Sequence, residues 1–199
     1  INDADMTSGH GSEVTEKDLG FRVDTAIKLS PAYKDYLWGG TRLIDDFGFE
    51  TDTEKAAEAL LKICPEHDVV VSAEAKGIPL CYEMARQGCR EYVIARKSIK
   101  VYMRNCTHVT VNSITTENAQ TLYLGEDDVN FLRGKRVLIV DDVISTGESL
   151  KALEALVEKA GGEICGRMAI LAEGDAIDRE DLIYLEPLPL FNPDGTVMG

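Results

Sequence analysis

Val137-Leu138-Ile139-Val140-Asp141-Asp142-Val143-Ile144-Ser145-Thr146-Gly147-Glu148-Ser149 is the stretch on which the reading of this chain turns. Four consecutive apolar residues have the pattern of a strand buried on both faces, and two carboxylates leave its carboxyl end. A short run of hydroxyl residues around Gly147 then opens into a helix. Its apolar stripe is Leu150, Leu153, Leu156, Val157 and Ala160, closed by Gly161-Gly162. Backbone N–H groups at a helix N-terminus, with the hydroxyls of Ser145, Thr146 and Ser149, make a cradle for a phosphate dianion, and Gly147 lets the backbone come close. Two carboxylates beside such a cradle cannot bind the phosphate. They suit hydroxyl donors, such as a ribose diol, or an intervening Mg²⁺. Helix capping by Asp142 or Ser145 alone would explain one residue, not two carboxylates, three hydroxyls and a glycine. The stretch matches neither GxxxxGK[ST] nor GxGxxG.

The surrounding sequence alternates strand and helix. Thr51 and Glu54 have capping-box spacing, and Ala56, Ala57, Leu60 and Leu61 repeat at helical period up to Cys64-Pro65. Asp68–Ser72 reads as a strand, Ile78–Arg86 as a helix ending near Gly88, and Tyr92–Ala95 as a further strand. Val109–Ile114 and Thr121–Leu124 read as a β-hairpin, Arg136–Val140 and Ile164–Leu171 as strands. Pro187, Pro189 and Pro193 mark an irregular C-terminal segment anchored by Leu188, Leu190 and Phe191. Apolar strands each followed by an amphipathic helix predict an α/β fold: a parallel twisted sheet flanked by helices. Ligands of such sheets bind outside the carboxyl ends of the strands, here just after Ser72, Ala95 and Val140.

Bulk properties narrow the classes of function. The 199 residues suffice for one domain, and 44% hydrophobic with 28% charged residues is the composition of a water-soluble globular protein. No apolar run approaches membrane-spanning length and the first residues carry no leader-like apolar core, so a cytoplasmic location without membrane contact is expected. Five cysteines lack a CxxC pair and three histidines lack metal-ligand spacing, against a disulfide framework or a zinc site. A net charge of −14 repels nucleic acid, so an anionic substrate must meet cations gathered locally. Such a group exists in Arg96, Lys97, Lys100 and Arg104, at a predicted strand end. Residues 1–19 are polar and aperiodic and are expected to form a flexible arm, with residues 20–199 as a single domain.

The stretch Val137–Ser149 resembles the phosphoribosyl pyrophosphate (PRPP) motif of the type I phosphoribosyltransferases, purine branch. The resemblance spans roughly residues 55–191 and rests on three motifs in family order. It implies that Asp141 and Asp142 hold the ribose hydroxyls and that Ser145, Thr146, Gly147, Glu148 and Ser149 wrap the 5′-phosphate. Glu148 stands where a small residue is usual. Its carboxylate either points to solvent or, pointing inward, weakens phosphate binding. Ser72–Gly77 resembles the pyrophosphate loop, often built on a non-proline cis peptide, which implies pyrophosphate contacts from Ala75, Lys76 and Gly77. Arg96-Lys97 is similar to the pair that opens the mobile loop of adenine and xanthine enzymes, with Arg96, Lys97 and Lys100 as pyrophosphate contacts. Catalytic roles then fall to Asp141, Asp142, Lys76 and Arg96.

The family fold implies a core over about residues 50–175, a flexible β-hairpin loop, and a small hood from about residues 20–50 and 180–199 that grips the base. Leu190 and Phe191 are the expected base contacts, and Trp38 is an aromatic that could stack. The glutamate that assists the base in adenine enzymes falls near Thr115 or Thr116, with Glu117 adjacent. The resemblance thus implies transfer from PRPP to adenine with Mg²⁺ carried by PRPP, in a homodimer. Xanthine or guanine transfer and a non-catalytic PRPP sensor are the alternatives. Pro31–Gly48, with Tyr36-Leu37-Trp38-Gly39-Gly40, resembles the start of bacterial mannose-6-phosphate isomerases, but their metal ligands are absent and no function follows from it.

Overall fold

The computed structural model describes residues 50–89, 91–111 and 120–190. The expected arm, most of the hood, Trp38, Thr115, Thr116, Glu117 and Phe191 lie outside these residues.

Helix α1 (Glu50–Ile63) leads into β1 (Val69–Ala73), α2 (Gly77–Met84) and β2 (Tyr92–Ala95). The hairpin strands β3 (Thr107–Val111) and β4 (Gln120–Leu124) follow, then α3 (Glu126–Leu132) and β5 (Arg136–Ile144). Helix α4 (Glu148–Ala160) connects to β6 (Glu163–Glu173), and β7 (Ile183–Leu188) ends the series. The main sheet has the order β2-β1-β5-β6-β7, and every neighbouring pair is parallel. β3 and β4 pair antiparallel outside it.

The absence of polar alternation in the strands has its cause in two cores, one on each face. Val69, Val71, Val137 and Ile139 pack on one side with Leu153, Leu156 and Val157 of α4 and Leu122 and Leu124 of the hairpin. Val70, Leu138 and Val140 pack on the other with Ala56 and Leu60 of α1 and Leu80 and Met84 of α2. Neighbours in a strand point to opposite faces, so both sets must be apolar. At the amino ends of the strands, Arg136 holds both Asp68 carboxylate oxygens, with NH2 to Oδ1 at 2.9 Å and Nε to Oδ2 at 3.3 Å. The Arg136 hydrogen bonds lower the Asp68 carboxyl to a pKa of about 2.

Two expectations need correction. The acidic pair does not lie beyond a strand ending at Val140: β5 continues to Ile144, because β6 still pairs with it up to Ile144 opposite Ala172. Only β1 stops short, its last pair being Val71 with Ile139, which leaves Asp141 and Asp142 laddered on one side alone. The C-terminal segment is not irregular throughout. Ile183–Leu188 forms the edge strand β7, a place in a sheet that tolerates a proline such as Pro187, and Leu188 is buried. Helix α3 has a weak sequence signal of its own, because Glu126, Asp127 and Asp128 in its first turn look like a polar turn although they suit a helix N-terminus.

Candidate active site

The carboxyl ends of β1, β2 and β5 surround a cavity of about 310 Å³, lined by Glu74, Ala75 and Lys76, by Lys97 and Gln120, and by Asp141, Asp142 and Ser149. A smaller cavity of about 70 Å³ adjoins it at Asp141 and runs along Ser145–Ser149. Each rim follows from local sequence.

On the β5 rim, Gly147 is the N-cap of α4 in the left-handed conformation, φ 73°, which a glycine adopts without cost. The N-cap position is held by glycine and therefore by neither Asp142 nor Ser145. Asp141 is half-buried and its Oδ1 accepts the Asp142 backbone N–H at 2.9 Å. Burial raises the Asp141 carboxyl well above the usual range, the Asp142 charge adds to this, and Lys97 opposes it. A carboxylate so placed gains from any cation or hydroxyl donor that enters. Glu148 is the first residue of α4, half-buried and at the edge of the smaller cavity.

On the β1 rim, the Glu74–Ala75 peptide is cis, and α2 starts directly after Lys76. Gly77 is buried against Ser72 and Asp141: a Cβ there would lie 2.9 Å from Ser72 Cβ and 3.5 Å from Asp141 Oδ1. Only glycine lets the loop after β1 settle onto the acidic pair.

The β2 rim carries the cations. Arg96 exchanges backbone hydrogen bonds with Tyr123 of β4, N–H to O at 2.9 Å and O to N–H at 2.8 Å, which docks the hairpin on the sheet edge. Glu74 accepts the Lys97 N–H at 2.6 Å and pairs with Lys100 at 3.2 Å and Arg96 at 3.4 Å. Burial alone would raise the Glu74 carboxyl, but the Lys97 N–H, Lys100 and Arg96 outweigh it and lower its pKa.

The structure therefore brings Ala75, Lys76, Lys97, Asp141, Asp142 and Ser149 to one cavity, with Gly77 beneath and Ser145, Thr146, Gly147 and Glu148 along its extension. Arg96 and Lys100 stand one step back, held by Glu74. Leu190 is 40% exposed and lies near Gly174, just past the carboxyl end of β6. Two residues escaped the sequence reading. Glu74 sits inside the quoted loop, and its signal was a lone carboxylate ahead of a basic run. Gln120 gave none, since a polar residue opening a strand looks like part of a turn.

Comparison with known proteins agrees with this geometry. Residues 50–185 match the phosphoribosyl transferase domain. The adenine phosphoribosyltransferase of Thermotoga petrophila is 36% identical over 139 residues, covering 67% of this chain and 74% of that one. A hypoxanthine/guanine phosphoribosyltransferase of Methanococcus voltae is 34% identical over 120 residues, covering 60% of each. The crystal structure of adenine phosphoribosyltransferase from Thermoanaerobacter pseudethanolicus superposes with a TM-score of 0.60 at 25% identity, covering 68% of this chain and 80% of that one. The family inferred from three short motifs holds over the whole described core, and this chain belongs to the phosphoribosyl transferase domain family.

Proposed function

We propose that this chain transfers the 5-phosphoribosyl group of PRPP to adenine, releasing AMP and pyrophosphate. The observation that carries the reading is the meeting of two carboxylates and two lysines around one cavity of about 310 Å³, with a glycine-capped helix start along the adjoining cavity of about 70 Å³. That arrangement matches a sugar with a phosphate at one end and a pyrophosphate at the other. Ser145–Ser149 take the 5′-phosphate, Asp141 and Asp142 the ribose hydroxyls, and Ala75, Lys76, Gly77 and Lys97 the pyrophosphate. Arg96 and Lys100 add positive charge behind Lys97, and Glu74 holds them in place.

In this reading a ring nitrogen of the base attacks C1, the bond from C1 to pyrophosphate breaks, configuration inverts, and the ring N–H proton passes to solvent. The positive charge of Lys76 and Lys97 stabilises the charge that grows on the leaving oxygen. Asp141 and Asp142 hold the ribose so that C1 faces the incoming base, and orientation of this kind supplies much of the acceleration of a two-substrate reaction. Mg²⁺ fits the donor set. Two adjacent carboxylates offer hard oxygen ligands, and no group of three or more metal-ligating side chains occurs among the described residues, so substrate oxygens would complete the shell. When bound, the ion would neutralise charge on the pyrophosphate. Leu190 and Phe191 are assigned to the base. The reading extends to a cytoplasmic homodimer. No helix among the described residues could cross a membrane, and exposed Tyr82, Tyr92 and Tyr102 on and around the edge strand β2 offer a surface for a second copy.

Incubation with PRPP, Mg²⁺ and each of adenine, xanthine, hypoxanthine, guanine and orotate tests the base. Adenine is expected to give AMP and equimolar pyrophosphate with the highest kcat/KM of the panel. A higher value for hypoxanthine or guanine would move the chain toward relatives such as that of Methanococcus. No pyrophosphate with any base would overturn the enzymatic reading.

A further inference from the structure

Gln120 has no part in the function derived so far. It opens β4 opposite Val111 of β3, on a hairpin fixed to the sheet edge through Tyr123 and Arg96. Its side chain lines the cavity shared by Lys76, Lys97, Asp141 and Asp142. Its Oε1 accepts a hydrogen bond from the Ser149 hydroxyl at 2.9 Å, Ser149 being the second residue of α4 and 29 positions further along the chain.

The direction of this hydrogen bond matters to an anion. A serine hydroxyl has one proton. If that proton goes to Gln120 Oε1, Ser149 can turn only lone pairs toward the loop, and a phosphate dianion, itself all acceptor, would be repelled. The amide has an alternative. A half-turn of the terminal group exchanges Oε1 for Nε2 with almost no change of shape. Nε2 then donates to the Ser149 oxygen, and the hydroxyl proton is released toward the loop. The resulting chain, N–H to O–H to phosphate oxygen, runs its donors in one direction, and each bond polarises the next. Among the described residues no other group accepts from Gln120 Nε2, so the turn exchanges only the bond to Ser149.

We infer that Gln120 is a positioning residue that sets the Ser149 hydroxyl as a donor to the phosphate end of the substrate. The inference rests on the reading of Ser145–Ser149 as the phosphate cradle. Glutamine has the chemistry the task requires. Glutamate at this position would only accept, would draw the Ser149 proton away, and would add negative charge beside the anion site. Leucine would fill the space and leave the hydroxyl unset.

The test uses ribose 5-phosphate, which carries the phosphate but no pyrophosphate, beside PRPP. Gln120→Glu is expected to weaken ribose 5-phosphate binding and to raise KM for PRPP roughly thirtyfold, with Gln120→Leu giving about fivefold. KM for the base should stay within about twofold in both, because the base touches neither group. Since Gln120 acts through Ser149, Ser149→Ala combined with Gln120→Leu should be no worse than Ser149→Ala alone. Additive losses, or equal shifts in the KM of PRPP and base, would show that Gln120 merely braces the hairpin and would overturn the inference. Unchanged ribose 5-phosphate binding in Gln120→Glu would overturn it alone, leaving the phosphate cradle intact. If the wild-type chain binds neither ligand, the cradle and the inference fall together.

Discussion

Replacing Asp141 and Asp142 together by asparagine is expected to lower kcat/KM on the order of a thousandfold or more, without loss of the fold. Both side chains keep their size, and the backbone pairing of β5 with β6 at Asp141 and Ala169 is untouched. What goes is the pair of acceptors assigned to the ribose hydroxyls and Mg²⁺. Stability should move the other way. Burial and the Asp142 charge raise the folded-state pKa of Asp141 above its unfolded value, so ionised Asp141 is a cost to the fold at neutral pH. A group raised in this way contributes stability below its unfolded pKa and loses that contribution as pH rises through the folded value. The substituted chain should therefore have a higher Tm than wild type at neutral pH. The difference should shrink as pH falls through the raised value toward the ordinary 3.8. Thermal unfolding across that range, with steady-state kinetics, checks both halves. Undiminished turnover would remove the carboxylates from the mechanism, and a lower neutral Tm would contradict the account of Asp141.

Gly77→Ala carries the largest expected loss of stability. The added Cβ would overlap the Ser72 hydroxyl and lie 2.9 Å from Ser72 Cβ, and Ser72 is completely buried. Ser72 has little freedom to give, because its backbone is paired with Ile94 of β2 and the preceding Val71 with Ile139 of β5. Overpacking of this severity costs about 3 kcal/mol or more, which corresponds to roughly 10 °C in Tm for a domain of this length. The loop that must shift carries Ala75 and Lys76, so kcat/KM should fall by roughly a hundredfold as well, the usual effect of a displacement of about 1 Å. Ser72→Gly removes both clashing atoms and is expected to restore most of the lost Tm to the Gly77→Ala chain. Wild-type stability in Gly77→Ala, or no rescue by Ser72→Gly, would show that the loop does not rest on Ser72 as described.

The readable parts of the fold were those where one physical demand acts on contiguous residues. Val69–Val71, Val93–Ala95 and Val137–Val140 are buried, and this excludes polar residues from contiguous runs. Strand β7 escapes the rule. β7 is paired only with β6, so it tolerates Glu186 and Pro187 and loses the pattern of a strand. Likewise, β5 outlasts its apolar run because one neighbour suffices to keep Asp141–Ile144 extended.

The candidate site divides in the same way. The acidic pair and Ser145–Ser149 are adjacent in sequence because a strand end and the helix start after it are adjacent in space, so their chemistry was legible as a motif. Glu74 and Gln120 act on partners 23 and 29 positions away, Lys97 and Ser149. Contacts of that kind exist only once β1, β2 and the hairpin have been brought together, and no local spacing announces them. The same distance explains why Arg96 and Lys100 were legible as cations but their pairing with Glu74 was not.

Binding of PRPP is the claim on which everything else depends, and calorimetric titration of PRPP with Mg²⁺ into the chain measures it without reference to the base. The account predicts saturable binding at one site per chain, lost when Asp141 and Asp142 are both asparagine and weakened in Gln120→Glu. Absence of binding to the wild-type chain, or unchanged binding after the double substitution, would contradict it.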